Sequence, residues 1–244
     1  MTFLLLPGDF RHKTHLVLQG VCAQRQSHSF QFSGQPLPVD ARMTGIYLGA
    51  AVSLLWYLLI LRARHTGRLT RGAWAVVGLC IGLMAIDGLN SLASDLAVAT
   101  PYASTNVTRV GTGLLSGVAI GALLGHLVTI SLTRRPRGGW PPMPILSLVP
   151  PLAAGAFLCA LAASGLPTLA FPYTALLVAS ALAVLWAMTS VLVALALGRG
   201  WGFASARQRD ETLALAFAGA CVLLLALAAW RAALEQIIGP IRLS

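Results

Sequence analysis

Long, predominantly apolar runs are the feature of this chain that most limits how it can fold. Six such runs of at least 18 residues follow one another along 244 residues, and each is long enough to cross a hydrocarbon core of about 30 Å. Charged residues make up only 10% of the chain, whereas a soluble domain has about 25%. The pattern predicts an all-α polytopic membrane protein, a bundle of six transmembrane helices at residues 44–61, 73–92, 111–132, 145–166, 172–197 and 213–238.

The arginines between these runs predict how the helices are oriented. Ten lie in the three alternate loops and at their edges: Arg62, Arg64, Arg68, Arg71, Arg134, Arg135, Arg137, Arg199, Arg207 and Arg209. The two remaining loops carry only Arg109. Because basic residues favour the cytoplasmic side, we predict a multi-pass protein of the cytoplasmic membrane with both termini extracytoplasmic. The same bias explains the net charge of +10, so we predict no nucleic-acid partner.

The stretch before the first apolar run predicts a separate extracytoplasmic segment, residues 1–43. It lacks a basic start and an apolar run long enough for a signal peptide, so we expect it in the mature protein. Within it, "HLVLQGVCA" favours a short interfacial helix and "SFQFSGQPLPV" a small hairpin or compact loop. The rest divides into a three-helix core at 44–132 and three further transmembrane helices at 145–238.

The third apolar run carries glycine at every fourth position. This ladder consists of Gly113, Gly117, Gly121 and Gly125. Rows of small residues at this spacing let helix backbones approach closely in lipid. We therefore predict a packed central helix, with a pore-lining or sliding helix as the alternative. Gly78 and Gly82 on the second run form a plausible partner face. In the fourth run, Pro150 and Pro151 should kink or delay the helix.

The second apolar run contains an acid where lipid-embedded helices rarely have one. Asp87 is followed at helical spacing by Asn90, Ser91 and Ser94, which places the four side chains on a single stripe. An ionised Asp near the bilayer centre costs roughly 2.5–3.5 kcal/mol. The stripe should therefore face the bundle interior and contact polar partners.

Neighbouring segments supply these partners on the same predicted side of the membrane. Asn106 and Arg109 lie at the mouth of the third run, and Asp40 and Arg42 at the entry of the first. Because the planar guanidinium can bind a carboxylate through two hydrogen bonds, we predict that Asp87 pairs with Arg109 or Arg42. The cluster is then a structural clasp, a ligand site for a lipid headgroup, an ion or a small anion, or, least in keeping with the pattern, a catalytic Asp40–Asp87 pair.

The same segments resemble a family of bacterial and archaeal membrane proteins known as domain of unknown function 2085. The resemblance rests on "GVCAQRQSHSF", "GQPLPVDARMTGIYLG", "IDGLN" and "STNVTRVGTGLLSG", which cover residues 20–125. It implies a Cys-His pair in the first motif and cysteines on both sides of the "AR" pair. Here Cys22 remains, while Ala23, Asp40 and Met43 stand at the other positions. Cys22, Asp40 and Met43 form a ligand set of mixed softness, so they are weak candidates and we predict no metal site.

These features favour a non-catalytic accessory or structural subunit of a larger, energy-transducing membrane complex. The fourth and fifth runs carry no ionisable side chain on their apolar stretch and suit contact with another subunit or a pigment-bearing helix. The alternative is a transporter or a protein that binds lipid or a small anion through the outer polar cluster. No P-loop or H-E-x-x-H motif indicates an enzyme. We predict no cofactor, with a bound lipid or pigment as the alternative, and expect membrane lipids and other membrane subunits as partners.

Overall fold

Six helices long and apolar enough to cross a membrane form the bulk of the chain in the computed structural model. The structure describes residues 9–32, 34–61, 70–132, 144–199 and 205–238. The helices are α1 (Phe10–Leu18), α2 (Ala41–Trp56), α3 (Arg71–Asp95), α4 (Asn106–Leu132), α5 (Val149–Ser164), α6 (Ala170–Ala196) and α7 (Ala206–Ile238). A π-helical turn, Tyr57–Leu61, extends α2. The predicted all-α bundle of six transmembrane helices therefore agrees with the structure in class and number within the described ranges.

Polar capping residues fix where several helices begin. Asp40 caps α2 by accepting a hydrogen bond from the backbone N–H of Met43 at 2.8 Å, and Thr70 caps α3 in the same way through Ala73. Side-chain caps satisfy backbone donors that have no partner within the helix. At α4, the hydroxyl of Thr105 accepts from the backbone N–H of Thr108 at 3.2 Å.

Two helices begin at least five residues earlier than the apolar runs predicted. The helix α4 begins at Asn106 rather than at residue 111, and α7 begins at Ala206 rather than at residue 213. Hydropathy detects the part of a helix that lies in lipid, whereas hydrogen bonding carries the helix into its polar flank. Asn106 and Arg109 consequently lie in the first turn of α4, not in a loop.

The proline pair delays the start of α5, as predicted. A 3-10 turn at Ile145–Leu148 precedes the α-helix, which begins at Val149 with Pro150 and Pro151 in its first turn. Proline is tolerated there because the first backbone N–H groups of a helix have no partner within it. At the other end, Gly165 closes α5 in the left-handed conformation, with φ of 64°.

The parallel pair α2 and α4 forms the centre of the bundle. A Cβ added at Gly113, Gly117 or Gly121 would overlap a backbone carbonyl oxygen of α2, and one at Gly125 would lie 2.7 Å from Cβ of Tyr57. The contact is reciprocal, since a Cβ at Gly49 of α2 would lie 2.8 Å from the carbonyl oxygen of Leu114. The two backbones therefore touch at three successive ladder glycines, and at the fourth, Gly125, the side chain of Tyr57 packs on the backbone of α4.

The partner of the glycine ladder differs from the one the sequence suggested. Gly78 and Gly82 on α3, the predicted partner face, have nothing within 4 Å of an added Cβ. Instead, Gly45 and Gly49 give α2 a matching pair at the same spacing. The periodicity of a ladder identifies the contact face of its own helix but carries no information about which neighbour covers it.

The other helices surround this pair. Both α5 and α6 pack on α2 and α4, α3 packs on α4, and α7 packs on α6. Within the most apolar window of each helix, 72% of residues are buried in α4 but only 17% in α3. The helix α4 is thus central, and α3 lies at the periphery.

The N-terminal segment lies against one end of the bundle, where α2, α4 and α6 begin and α3, α5 and α7 end; we call this the polar end. Gln31–Phe32 and Gln35–Pro36 pair as an antiparallel hairpin, which confirms that prediction. The hairpin buries Phe32 against the ring of Tyr173 on α6, with ring centroids 5.7 Å apart. A short helix is also present, α1, although it begins at Phe10, earlier than its predicted motif, and ends at Leu18, within it.

Arg231 on α7 also binds the N-terminal segment. Its guanidinium donates to the backbone carbonyls of Gln19, Cys22 and Ala23, and its Nε lies 2.9 Å from a carboxylate oxygen of Glu235. Three carbonyls bound by one side chain hold the turn after α1 in place. The segment is therefore joined to the last transmembrane helix as well as to the first three.

Substituting a ladder glycine tests the backbone contact of α2 and α4. Gly121→Ala should lower the free energy of unfolding by about 1–3 kcal/mol, since overpacking forces backbone shifts. Gly219→Ala on α7 is the control because nothing lies within 4 Å of the added carbon. It should preserve or raise stability, since alanine is favoured over glycine in helices by about 0.8–1 kcal/mol. Titration with SDS in mixed micelles, followed by circular dichroism, measures both. Equal stability of the two variants would contradict the close contact.

Candidate functional site at the polar end

The carboxylate of Asp87 is buried at the polar end, with 1% of the residue exposed. Nη2 of Arg42 lies 2.6 Å from its Oδ2, the hydroxyl of Thr112 donates to the same oxygen at 3.2 Å, and the phenol of Tyr102 donates to Oδ1 at 2.9 Å. These donors come from α2, from α4 and from the loop between α3 and α4. One acid on α3 thus joins three separate segments.

Of the two predicted arginine partners, Arg42 is the one that pairs with Asp87. It lies in the first turn of α2, and its Nη2 also donates to the backbone carbonyl of Asp87 at 3.2 Å. Asp40, one position before the helix, accepts from the backbone N–H of Met43 and so serves as the helix cap. Its side chain is therefore engaged in a different task from that of Asp87.

Arg109 occupies a separate position in the cluster and is also buried, with 7% exposed. Its Nε and Nη2 both donate to the hydroxyl of Ser91, at 3.2 and 3.1 Å, and its Nη1 donates to the amide oxygen of Asn106 at 3.2 Å. Among the described residues, no carboxylate oxygen lies within 4.0 Å of this guanidinium. Asn106 in turn donates to the backbone carbonyl of Ser29 at 3.5 Å, which reaches the N-terminal segment.

The polar stripe on α3 is only partly buried. Asn90 donates to the backbone carbonyl of Tyr102 at 3.0 Å and so holds the following loop. Ser94, predicted to join the cluster, is exposed instead. Asp95 at the next position is part-buried, with 15% of its side chain exposed, and contacts the N-terminal segment. The prediction for Ser94 was wrong because helical spacing does not show which side of the last turn is covered. Near the end of α3 that depends on where the N-terminal segment packs.

Asp95 is bound by two residues of the N-terminal segment. Arg25 forms an ion pair with it, and Nε2 of His28 lies 3.4 Å from Oδ1. Burial lowers the pKa of His28, and the positive charge of Arg109 lowers it further. Near neutral pH the imidazole is therefore held in its uncharged form, and Arg25 supplies the positive charge opposite Asp95.

Sequence reasoning missed five members of this polar cluster: Arg25, His28, Asp95, Tyr102 and Thr112. A signal existed for Asp95, which continues the four-residue spacing of Asp87 and Ser91. Thr112 follows Arg109 by three residues and so shares its helix face. The loop and the N-terminal segment have no periodicity that could have indicated Tyr102, Arg25 or His28.

In Tyr102, burial and the hydrogen bond to Asp87 raise the phenol pKa.

Cys22 lies near the cap of α2 rather than in a ligand set. Its sulfur accepts hydrogen bonds from the backbone N–H groups of Gln24 at 3.3 Å and of Asp40 at 3.2 Å. Burial and the nearby charge of Asp40 raise the thiol pKa to about 12. Met43 packs against the hydrophobic core. Within the part of the chain that the structure describes, no three His, Cys, Asp or Glu side chains are grouped in a way that suits a metal ion.

Six apolar helices and a polar cluster at one end define a multi-pass membrane protein. A family described as "Predicted membrane protein (DUF2085)" matches residues 22–123. A protein of Methanothermobacter thermautotrophicus, named "Uncharacterized protein", is 31% identical over 112 residues, which cover 44% of this chain and 90% of that protein. No solved structure matches. The chain belongs to the DUF2085 family, and the family match contains the whole polar cluster but ends within α4.

A double-mutant cycle tests whether Arg42 and Asp87 act as one unit. Asp87→Ala should lower the free energy of unfolding by about 3–5 kcal/mol, because it leaves a part-buried guanidinium without its countercharge. The coupling energy with Arg42→Ala should be about 1–3 kcal/mol. The matched control is the exposed pair Arg207–Glu211 on α7, for which coupling should be about 0.3–0.5 kcal/mol. Both cycles are measured by unfolding in mixed micelles, and additive effects at Asp87 would contradict the pairing.

Proposed function

We propose that this protein is a non-catalytic accessory subunit of the cytoplasmic membrane, which docks against another membrane protein through the exposed face of α3. Both termini are extracytoplasmic in this proposal. The single observation that carries it is the open glycine pair on α3, because the four ladder glycines of α4 are covered by backbone or by an aromatic side chain.

The orientation is supported by the arginines of the loops that join the transmembrane helices, although the N-terminal segment adds Arg11, Lys13, Arg25 and Arg42 at the polar end. Arg71, Arg199, Arg207 and Arg209 are described at the end of the bundle opposite the polar end, which we call the far end. The other predicted cytoplasmic arginines, Arg62, Arg64, Arg68, Arg134, Arg135 and Arg137, lie outside the described residues. Basic residues of short loops favour the cytoplasm, so the far end is the cytoplasmic one in this proposal.

The contacts of Asp87 and the protonation state of Cys22 support the proposal that the protein is non-catalytic. Asp87 is bound by three side-chain donors, which occupy both of its oxygens and stabilise its charged form. The thiol of Cys22, with a pKa of about 12, is protonated at neutral pH, and a protonated thiol is a weak nucleophile. The contacts of the cluster thus favour a clasp that joins α2, α3, α4 and the N-terminal segment.

The docking face is supported by the surroundings of Gly78 and Gly82. They form a G-x-x-x-G motif, and such motifs mark where transmembrane helices approach each other closely. Leu79 and Ile86 beside them are 62% and 61% exposed. The chain itself uses glycine pairs in this way between α2 and α4. A helix of a partner subunit on this face would receive the same backbone contact.

Leucine substitutions test the docking face. In nanodiscs formed directly from native membranes, the wild-type protein should be found in a particle with at least one other polypeptide, because a larger complex contains it. Gly78→Leu with Gly82→Leu should release the chain as a free monomer, since leucine separates the backbones. Gly219→Leu on α7 is the control, because its position is equally open but lies on another helix. Native mass spectrometry measures the composition of each particle.

Three outcomes of this experiment contradict the proposal. A free wild-type monomer would remove the need for a partner. A particle whose mass is a multiple of 25.6 kDa would indicate self-association in place of an accessory role. Equal release by the α3 and α7 variants would show that the docking face lies elsewhere.

A second candidate function, binding of a small anion or lipid headgroup at the polar end, is favoured by the partners of Arg109. Its Nε and Nη2 form the edge that binds the two oxygens of a carboxylate or phosphate, yet both donate to the single hydroxyl of Ser91. A phosphate oxygen that binds this edge would replace the hydroxyl of Ser91, a neutral acceptor, as the hydrogen-bond partner of Arg109.

Titration with inorganic phosphate and with glycerol phosphate tests this second function. The wild-type protein should bind one of them, and Arg109→Lys should weaken binding by about tenfold, since lysine keeps the charge but not the two-donor edge. Arg25→Lys, at the ion pair with Asp95, is the control and should bind as the wild type does. Calorimetry measures affinity and circular dichroism verifies folding. If Arg109→Lys binds normally, or the wild type does not bind, the cluster is a clasp alone.

A further inference from the structure

A cavity of about 740 Å³ lies toward the far end of the bundle, between α2, α4, α6 and α7. Its volume falls in the range of small-molecule sites, about 300–1,000 Å³. Its position follows from its walls, which come from the last turns of α2 and α4, the second half of α6 and the first turns of α7. Apolar lining residues from these helices include Leu54, Leu58, Val128, Ala183, Ala187 and Leu213.

The polar side chains of the wall donate their hydrogen bonds to backbone carbonyls of the protein itself. Thr129 donates to the backbone carbonyl of Gly125 at 2.8 Å, and Ser190 donates to that of Trp186 at 2.7 Å. The indole N–H of Trp186 donates to the carbonyl of Leu213 at 3.0 Å. A polar ligand group buried here would be desolvated without a partner, which is costly. The interior of the cavity therefore suits hydrocarbon.

The rim of the cavity is charged where its interior is apolar. Arg209 and Asp210 line one side, in the first turn of α7, and Leu213 follows them about 6 Å further along the helix axis. Arg209 is bound only to its neighbour Asp210 in the described contacts, at 3.1 Å, and both side chains are more than half exposed. Such surface pairs contribute little free energy, so a phosphate can replace Asp210 as the partner of Arg209.

A change from cation to hydrocarbon over one helical turn matches the boundary between headgroup and acyl chain in a bilayer. We propose that the cavity binds one membrane phospholipid, with an acyl chain between α2, α4, α6 and α7 and the phosphate beside Arg209. This site is separate from the docking face on α3 and from the polar cluster, and it does not rest on either proposal.

Filling the cavity tests where the acyl chain lies. The probe is palmitoyl-oleoyl phosphatidylglycerol, added to delipidated protein in detergent micelles and counted as bound molecules by native mass spectrometry. The wild type should retain one molecule, and Ala183→Phe should weaken its retention by about tenfold, because the ring occupies the cavity. Ala179→Phe is the matched control, since Ala179 is exposed on the same helix and does not line the cavity.

Removing the charge at the rim tests where the phosphate lies. Arg209→Gln should weaken retention by about fivefold. Arg207→Gln, whose arginine is 89% exposed and lies outside the cavity lining, should leave retention unchanged. Circular dichroism of each variant verifies the helical fold. A wild-type protein that retains no lipid, or equal retention by Ala183→Phe and Ala179→Phe, would overturn the site. Equal retention by Arg209→Gln and Arg207→Gln would overturn the assignment of the phosphate.

Discussion

The direct backbone contact between α2 and α4 is the constraint on which the rest of the structure depends. Near the polar end of this contact, Gly113 has no Cβ, so the backbone carbonyl of Arg42 can pack directly against α4. That approach places the guanidinium of Arg42 and the hydroxyl of Thr112 on the same carboxylate, Asp87 of α3. A side chain between the helices would move α2 outward and separate Arg42 from its acid. Lipid offers no hydrophobic force between helices, so close packing and polar contacts must supply the association.

The polar cluster joins elements that would otherwise have little in common. The peripheral helix α3 packs on α4 and little else, and its buried polar stripe gives it a fixed rotation. The N-terminal segment is bound to Asp95 of α3 through Arg25 and to Arg231 of α7 through backbone carbonyls. Because the family match ends within α4, Tyr173 on α6 and Arg231 on α7 are contacts that the helices beyond the match make with the N-terminal segment.

The two ends of the bundle differ in how their polar groups are used. At the polar end, side chains from four segments bind one another, and Arg109 alone among the buried cations has only neutral partners among the described residues. At the far end, the hydroxyls of Thr129 and Ser190 bind their own helices and leave an apolar cavity open. A low dielectric strengthens the interactions between paired charges at the polar end. It also makes an unpaired polar group in the cavity at the far end costly.

The sequence by itself determined the number of helices, the glycine face of α4 and the burial of a polar stripe at Asp87, because each is a periodic pattern within one segment. Only the tertiary structure decided that α2 covers the glycine face, that Arg42 rather than Arg109 reaches Asp87, and that Ser94 faces outward. Asp40 was likewise assigned by contact, as the cap of α2. These outcomes depend on which helices are neighbours and on their relative rotation, and periodicity within a helix carries neither quantity.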